Sequence, residues 1–242
     1  MTLNNADSNR VNLDQILTLY RASEWSKCLD LLNTAILEQP NRPILYNLKG
    51  SIYNRVEKYH EAINFFDAAI SLKTDYFEAI YNKGNALASL RKIDFAIENF
   101  NLALQHNEKF EAARIALARL LNEKGTVSEA LNEYYKVLDF SPNSFIAYND
   151  LGGIYRTMGN IKEAIVCFKK ALGINNEFSE AYCNLGAAHQ DAREFDNAIS
   201  NYKDALKISP GLIKAQYNLG TLYYDQGKYA LAKERFDKCG RN

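Results

Sequence analysis

Small, apolar and aromatic positions return every 34 residues along this chain. Gly50, Gly84, Ala118, Gly152, Gly186 and Gly220 form one series. Ala62, Ala96, Ala130, Ala164, Ala198 and Ala232 form a second. Phe66, Phe100, Tyr134, Phe168, Tyr202 and Phe236 form a third, and Ala69, Ala103, Val137, Ala171, Ala205 and Cys239 a fourth. Ala164, Phe168 and Ala171 are spaced i, i+4, i+7, so they share one face of a helix. Four series in one register predict a solenoid of helical repeats, in which each unit buries its apolar face on its neighbours.

The register predicts seven units, starting at Asn9, Pro43, Phe77, Glu111, Phe145, Ser179 and Ile213. The first is degenerate, with Ile16 in the glycine series and Cys28 in the alanine series, and reads as a modified cap. The last is incomplete. Residues 1–8 are expected to be a disordered leader to the array at 9–242. Each unit reads as two helices. Gly159 supplies the left-handed residue that a helix C-terminus often uses. Asn160 with Glu163, Thr126 with Glu129, and Asp75 with Glu78 have the spacing of a capping box. Pro40, Pro142 and Pro210 fall at one repeat position and predict the stop of the second helix. Pro43 opens a first helix, where its missing N–H costs nothing. Gly152 is expected to let the two helices of its unit approach, with Tyr155 and Phe168 filling the space around the contact.

Composition narrows the function classes. The 242 residues carry 29 basic and 29 acidic side chains, for a formal net charge of zero. Bulk charge therefore favours neither nucleic acid nor an anionic membrane. The polar first ten residues are not a secretory signal, and no apolar run is long enough to span a bilayer. A cytoplasmic setting is expected. Cys28, Cys167, Cys183 and Cys239 form no CxxC pair. Cys28 and Cys239 stand in alanine slots and read as small buried packing. His60, His106 and His189 lie in different units, and His189 reads as a packed residue in a tyrosine slot. No nucleophile, metal or phosphate-binding motif occurs. We therefore expect no enzyme activity, no cofactor and no metal.

The repeats YNDLGGIY with Ala164, Phe168 and Ala171, and YNLGTLY with Gly227, Ala232 and Phe236, resemble the tetratricopeptide repeat (TPR). The resemblance covers about residues 9 to 242. It implies an all-α fold: a right-handed α-α superhelix of about seven helix-turn-helix repeats, with the first helices lining a concave groove. Lys49 and Lys83 depart from the pattern, replacing the leucine beside the glycine. Their stems are expected to pack while the amines reach water.

The resemblance also implies that positions two, five, six, nine, twelve and thirteen of each repeat face the groove. The sixth positions are Asp14, Leu48, Asn82, Ala116, Asp150, Asn184 and Asn218. A carboxamide is both donor and acceptor, so it can pair with the backbone of an extended peptide. The row partly resembles the asparagine ladder of O-linked N-acetylglucosamine transferases, with Leu48 and Ala116 interrupting it. The other reading is that these are ordinary solvated groove residues. Asn85, Asn149, Arg156, Gln190, Tyr217 and Tyr224 complete the candidate peptide-binding surface. The carboxylate clamp of TPR cochaperones is not expected. No fifth position is lysine, and Asn85 at a ninth position is followed by Ala116 where the clamp needs an amide.

These features predict a scaffold that binds a protein or peptide and has no chemistry of its own. The alternative is the N-terminal recognition module of a larger bacterial enzyme, of glycosyltransferase or sulfotransferase type. No polar helix follows the last repeat, so Leu222, Leu231 and Phe236 are expected to lack cover and to favour self-association through that repeat.

Overall fold

A computed structural model describes residues 12–240, which contain fourteen α-helices and no strand. The expected leader at 1–8 and the repeat start at Asn9 lie outside the described residues. The helices run in pairs: α1 (Leu13–Arg21) and α2 (Trp25–Glu38), α3 (Pro43–Arg55) and α4 (Tyr59–Leu72), α5 (Phe77–Ser89) and α6 (Ile93–His106), α7 (Glu111–Lys124) and α8 (Val127–Phe140). Then come α9 (Phe145–Thr157) and α10 (Ile161–Ile174), α11 (Ser179–Asp191) and α12 (Phe195–Ile208), and α13 (Ile213–Asp225) and α14 (Tyr229–Cys239). From the second pair on, each first helix begins at the residue the register predicts. The chain divides into two compact units, Met1–Leu120 and Leu121–Asn242, with the boundary inside α7. Each unit is a stack of helical hairpins in which a second helix packs on the first helix of the next hairpin, as α4 does on α5 and α10 on α11.

The glycine and aromatic series prove to be two halves of one contact. A β-carbon added at Gly152 would lie 2.6 Å from the Phe168 ring. The same holds for Gly50 and Phe66, Gly84 and Phe100, Gly186 and Tyr202, and Gly220 and Phe236. The glycine admits the ring of its own hairpin, rather than only bringing two backbones together. The ring then extends to the next hairpin. Phe168 shares a core cluster with Leu185 and Ala188, and Tyr202 with Ala215, Leu219 and Leu222.

The turn inside each hairpin repeats as faithfully. Ser23, Glu57, Arg91, Gly125, Gly159, Arg193 and Gly227 occupy one repeat position, and all have φ between 58° and 90°. The next residue's N–H donates back to the last turn of the first helix, as Asn160 does to the Tyr155 carbonyl at 2.9 Å. This is the six-to-one bond of a Schellman ending. The expected capping boxes do not form. Neither Asn160 nor Thr126 makes a side-chain cap, and α5 is entered from Tyr76, not Asp75. With ψ near 65° the cap residue is not in the extended conformation that aims its side chain at the helix N-terminus. Thr126 instead donates its hydroxyl to the Leu121 carbonyl.

Three further expectations are corrected. Leu222 is 1% exposed and Phe236 is half-buried, so of the three residues expected to lack cover only Leu231 is exposed. Cys239 is half-buried, whereas Cys28 is fully buried and points its thiol at the Ile16 carbonyl. The amines of Lys49 and Lys83 find protein partners as well as water. Lys49 donates to Asn33 at 2.6 Å, and Lys83 pairs with Asp67 at 2.7 Å. Partial burial moves the Lys49 ammonium below its ordinary pKa. His189 is buried as expected, with Nδ1 2.6 Å from Glu194.

Candidate binding face of the first helices

Four polar residues at position six, Asn82, Asp150, Asn184 and Asn218, are backed by one of two kinds of neighbour. Where position five of the preceding repeat is asparagine, that side chain does the holding. Asn82 donates to Asn47 Oδ1 at 3.0 Å, and Asn184 donates to Asn149 Oδ1 at 3.0 Å. Both pairs are 35 residues apart, one more than the repeat. Where position five of the preceding repeat is Ile115 or Cys183, the buried tyrosine of the third series takes over. Tyr134 donates its hydroxyl to Asp150 Oδ2 at 3.0 Å, and the Tyr202 hydroxyl lies within electrostatic reach of the Asn218 side chain. Tyr202 also donates to Gln190 Oε1 at 2.9 Å. Burial pushes the Tyr202 hydroxyl well above the usual phenol range, so it stays a neutral donor.

This role of Tyr134 and Tyr202 was not seen in the sequence. The signal was there: tyrosine replaces phenylalanine in this series only in the fourth and sixth repeats. Those are the repeats followed by Asp150 and Asn218. A phenylalanine there could fill the same space but could not hold the residue at position six.

The candidate residues divide as follows. Asn82 and Asn85 lie half-buried on α5 in the first unit. In the second unit, α9 carries Asn149, Asp150 and Arg156, α11 carries Asn184 and Gln190, and α13 carries Tyr217, Asn218 and Tyr224. Asn149 is only 4% exposed. It is therefore a support rather than a contact residue: its oxygen takes the Asn184 N–H, and its own N–H goes to Asp150 at 3.3 Å. Asn184 also accepts from Lys214 at 2.9 Å. Arg156 Nε lies 2.6 Å from Asp191 Oδ2, linking adjacent first helices through an ion pair that is about one-third exposed on each side. Tyr217 and Tyr224 are more than half exposed. Each has one aromatic neighbour, Phe236 and Tyr229 respectively.

At the turn end of α11 and α13 the surface opens into a cleft of about 550 Å³, lined by Gln190, Asp191, Arg193, Asp225 and Gln226 over Phe195 and Leu222. Burial pushes the Cys183 thiol up to about 11, so it is not a nucleophile at neutral pH. No group of three or more potential metal ligands occurs among the described residues. No described helix is long and apolar enough to cross a membrane.

Comparison with known proteins agrees with the fold of paired helices. Models of the tetratricopeptide repeat match residues 44–76, 81–145, 152–192 and 177–239. Over 137 residues the chain is 28% identical to TPR repeat-containing protein MJ1428 of Methanocaldococcus jannaschii, a match covering 56% of this chain and 24% of that protein. It is 33% identical over 141 residues to uncharacterized protein ycf37 of Cyanophora paradoxa, covering 55% of this chain and 82% of that one. The crystal structure of APC/C hetero-tetramer Cut9-Hcn1 superposes with a TM-score of 0.78 at 18% identity, covering 93% of this chain and 44% of that chain. This chain thus spans about a quarter of the Methanocaldococcus protein and under half of the superposed chain. The matched repeats, the paired helices and the shared register together make the chain a member of the tetratricopeptide repeat family.

Proposed function

We propose that the chain is a non-catalytic binding scaffold that takes an extended peptide or an unstructured partner segment along its first-helix face. Tetratricopeptide repeats mediate contacts between proteins, and the surface chemistry here suits that use. One observation carries the reading: Asn184, in the middle of the row in the second unit, is anchored from behind and keeps bonding capacity to spare. A carboxamide has two N–H donors and two acceptor positions. Asn184 spends one donor on Asn149 and one acceptor on Lys214, leaving one of each. Anchoring lowers the side-chain entropy lost on binding.

A net hydrogen bond contributes about 0.5–1.5 kcal/mol. Two residues making one or two bonds each supply roughly 1–6 kcal/mol before ordering costs. A micromolar complex requires about 8 kcal/mol, so Tyr217 and Tyr224 have to contribute aromatic area. The expected binding is micromolar or weaker, with relaxed sequence preference. The test is fluorescence anisotropy with a panel of unstructured synthetic peptides. Asn184→Ala and Asn218→Ala should each weaken binding a few-fold, and the pair more, with helicity unchanged. Equal binding by the double variant would leave these asparagines as solvated groove residues.

The absence of lysine at position five argues against a free C-terminal carboxylate as the recognised group. A cytoplasmic setting remains part of the proposal, consistent with four free thiols. The second reading, a recognition module within a larger enzyme, is favoured by a 28% identity over 151 residues to protein O-mannosyl-transferase TMTC1 of Homo sapiens, a match covering 61% of this chain and 17% of that protein. A catalytic domain encoded in the same reading frame would decide for it.

A further inference from the structure

The outer face of the second unit departs from the repeat pattern at one place. On second helices, position 22 is Asp30, Asn64, Glu98, Asn132, Ser200 or Glu234 in six repeats, and Val166 in the fifth. Position 25 is Asn33, Asp67, Asn101, Lys169, Lys203 or Asp237 in six repeats, and Tyr135 in the fourth. These two substitutions of apolar for polar meet in space. Val166 is 52% and Tyr135 46% exposed, and both line one cleft of about 390 Å³ between α8, α9 and α10.

The first unit shows a polar way of filling this place. There the residue at position seven reaches back to position 25 of the preceding hairpin: Lys49 to Asn33, and Lys83 to Asp67. In the cleft the same two positions are Leu151 and Tyr135. The polar bridge is replaced by two side chains that leave an apolar hollow. Its wall is completed by Tyr155, whose hydroxyl meets that of Tyr135. That hydrogen bond holds the Tyr155 phenol up at about 12, so Tyr155 stays protonated. The rim carries Lys162 and Lys170, neither of them ion-paired among the described residues, and one acid, Glu163. Lys170 sits over the Tyr148 ring at 5.2 Å. The volume is near the lower limit of ordinary ligand pockets, about 300–1,000 Å³. It suits one bulky side chain rather than a whole helix.

We propose that this cleft is a second binding site, distinct from the first-helix face, which takes a bulky aliphatic or aromatic side chain of a partner polypeptide flanked by acidic residues. The apolar hollow takes the anchor, as buried hot-spot pockets do. The two unpaired lysines on its rim select the acidic flank by charge complementarity.

The test is selection of phage-displayed random linear peptides on the whole chain, followed by binding measurements on synthesised clones. Tyr135→Asn with Val166→Asn restores the polar residues that other repeats carry. The fold should therefore survive, as checked by helicity and thermal melting. Val166→Asn alone, and Lys162→Glu with Lys170→Glu, serve if the pair does not fold. The expected result is a set of clones with one bulky apolar residue beside Asp or Glu. They should lose at least tenfold in affinity on the cleft variant and keep full affinity for the Asn184→Ala/Asn218→Ala chain. Failure to select any clone, clones indifferent to the cleft variant, or clones with basic flanks would overturn the assignment. So would a concentration-dependent sedimentation of the chain alone that the cleft variant abolishes, since the occupant would then be a second copy.

Discussion

Asn184 donates a hydrogen bond to the carboxamide oxygen of Asn149, a residue set one position back in the preceding repeat. The bond joins a half-buried residue of the proposed binding face to a buried one, so part of that face rests on a core position. Asn149→Ala should remove the support without removing the contact residue. We expect a loss of about 1–3 kcal/mol in stability, because the Asp150 and Asn184 partners must find water instead. A double-mutant cycle with Asn184→Ala, read by urea denaturation, should give a coupling of about 0.5–1.5 kcal/mol. Simple additivity would show that the bond contributes nothing in solution.

Gly152 and Phe168 form the contact that recurs along the array. Gly152→Val would push a branched side chain into a ring with no room to retreat, and overpacking of this kind costs about 1–3 kcal/mol. Phe168→Leu in the same chain should relieve part of that cost, although the same substitution alone destabilises by leaving a cavity. Chemical denaturation of the four chains measures both effects. Independent losses would mean that the ring does not lie over the glycine.

The fold could be read from residues because the repeat samples each position many times. Glycine, alanine and ring kept their meaning through six copies, so the paired helices and their boundaries followed from spacing alone. The binding face was less legible. The proposed row at position six came from the repeat register, but that Asn149 is buried depends on which side of α9 is covered, and composition does not show that. The tyrosine hydroxyls of Tyr134 and Tyr202 were concealed by the chemical likeness of tyrosine to phenylalanine. The capping boxes failed for a conformational reason. At Thr126 and Asn160 the spacing was right, but the backbone is set by the preceding left-handed Gly125 and Gly159, and at Asp75 the helix is entered one residue later, from Tyr76.

That turn supplies a stability prediction. Glu57 is held at φ 61°, where three other repeats use glycine. Left-handed geometry costs a residue with a β-carbon about 1–2 kcal/mol. Glycine gives back about 0.4–1 kcal/mol through the freedom of the unfolded chain. Glu57→Gly should therefore raise stability by about 0–1.5 kcal/mol. A clear fall in the urea midpoint would mean that the Glu57 side chain contributes more than its backbone strain costs.

Glu194 gives a pH dependence. Its carboxyl is held below the ordinary value of 4.5, first by the Asn197 side chain and then by His189. A depressed acid stabilises the fold above its unfolded pKa, and that contribution is lost as pH falls through the folded one. The stability difference between the parent and Glu194→Gln should be constant from pH 6 to about 5 and shrink below about 4.5. A difference that persists unchanged to pH 3 would exclude the charge as its source.

The last hairpin supplies the test of self-association. The first residue of the second helix is partly covered in the six earlier hairpins, as Phe195 and Ile161 are, whereas Tyr229 is 64% exposed. Tyr224 extends the patch beside it, the two rings 5.3 Å apart. Lys233 stands where the earlier hairpins have Leu29, Ile63, Ile97, Leu131, Ile165 and Ile199. Each large side chain that becomes covered contributes about 1.5–3 kcal/mol, so the two give roughly 3–6 kcal/mol. Association costs about 4–15 kcal/mol, and bringing the Lys233 ammonium into the contact adds to that. We therefore expect end contacts to appear only near millimolar concentration in sedimentation equilibrium. Lys233→Ile should move the transition to lower concentration, and Tyr229→Ser should abolish it. If Lys233→Ile sediments as a monomer at the same concentrations as the parent, the last hairpin is not a self-association surface.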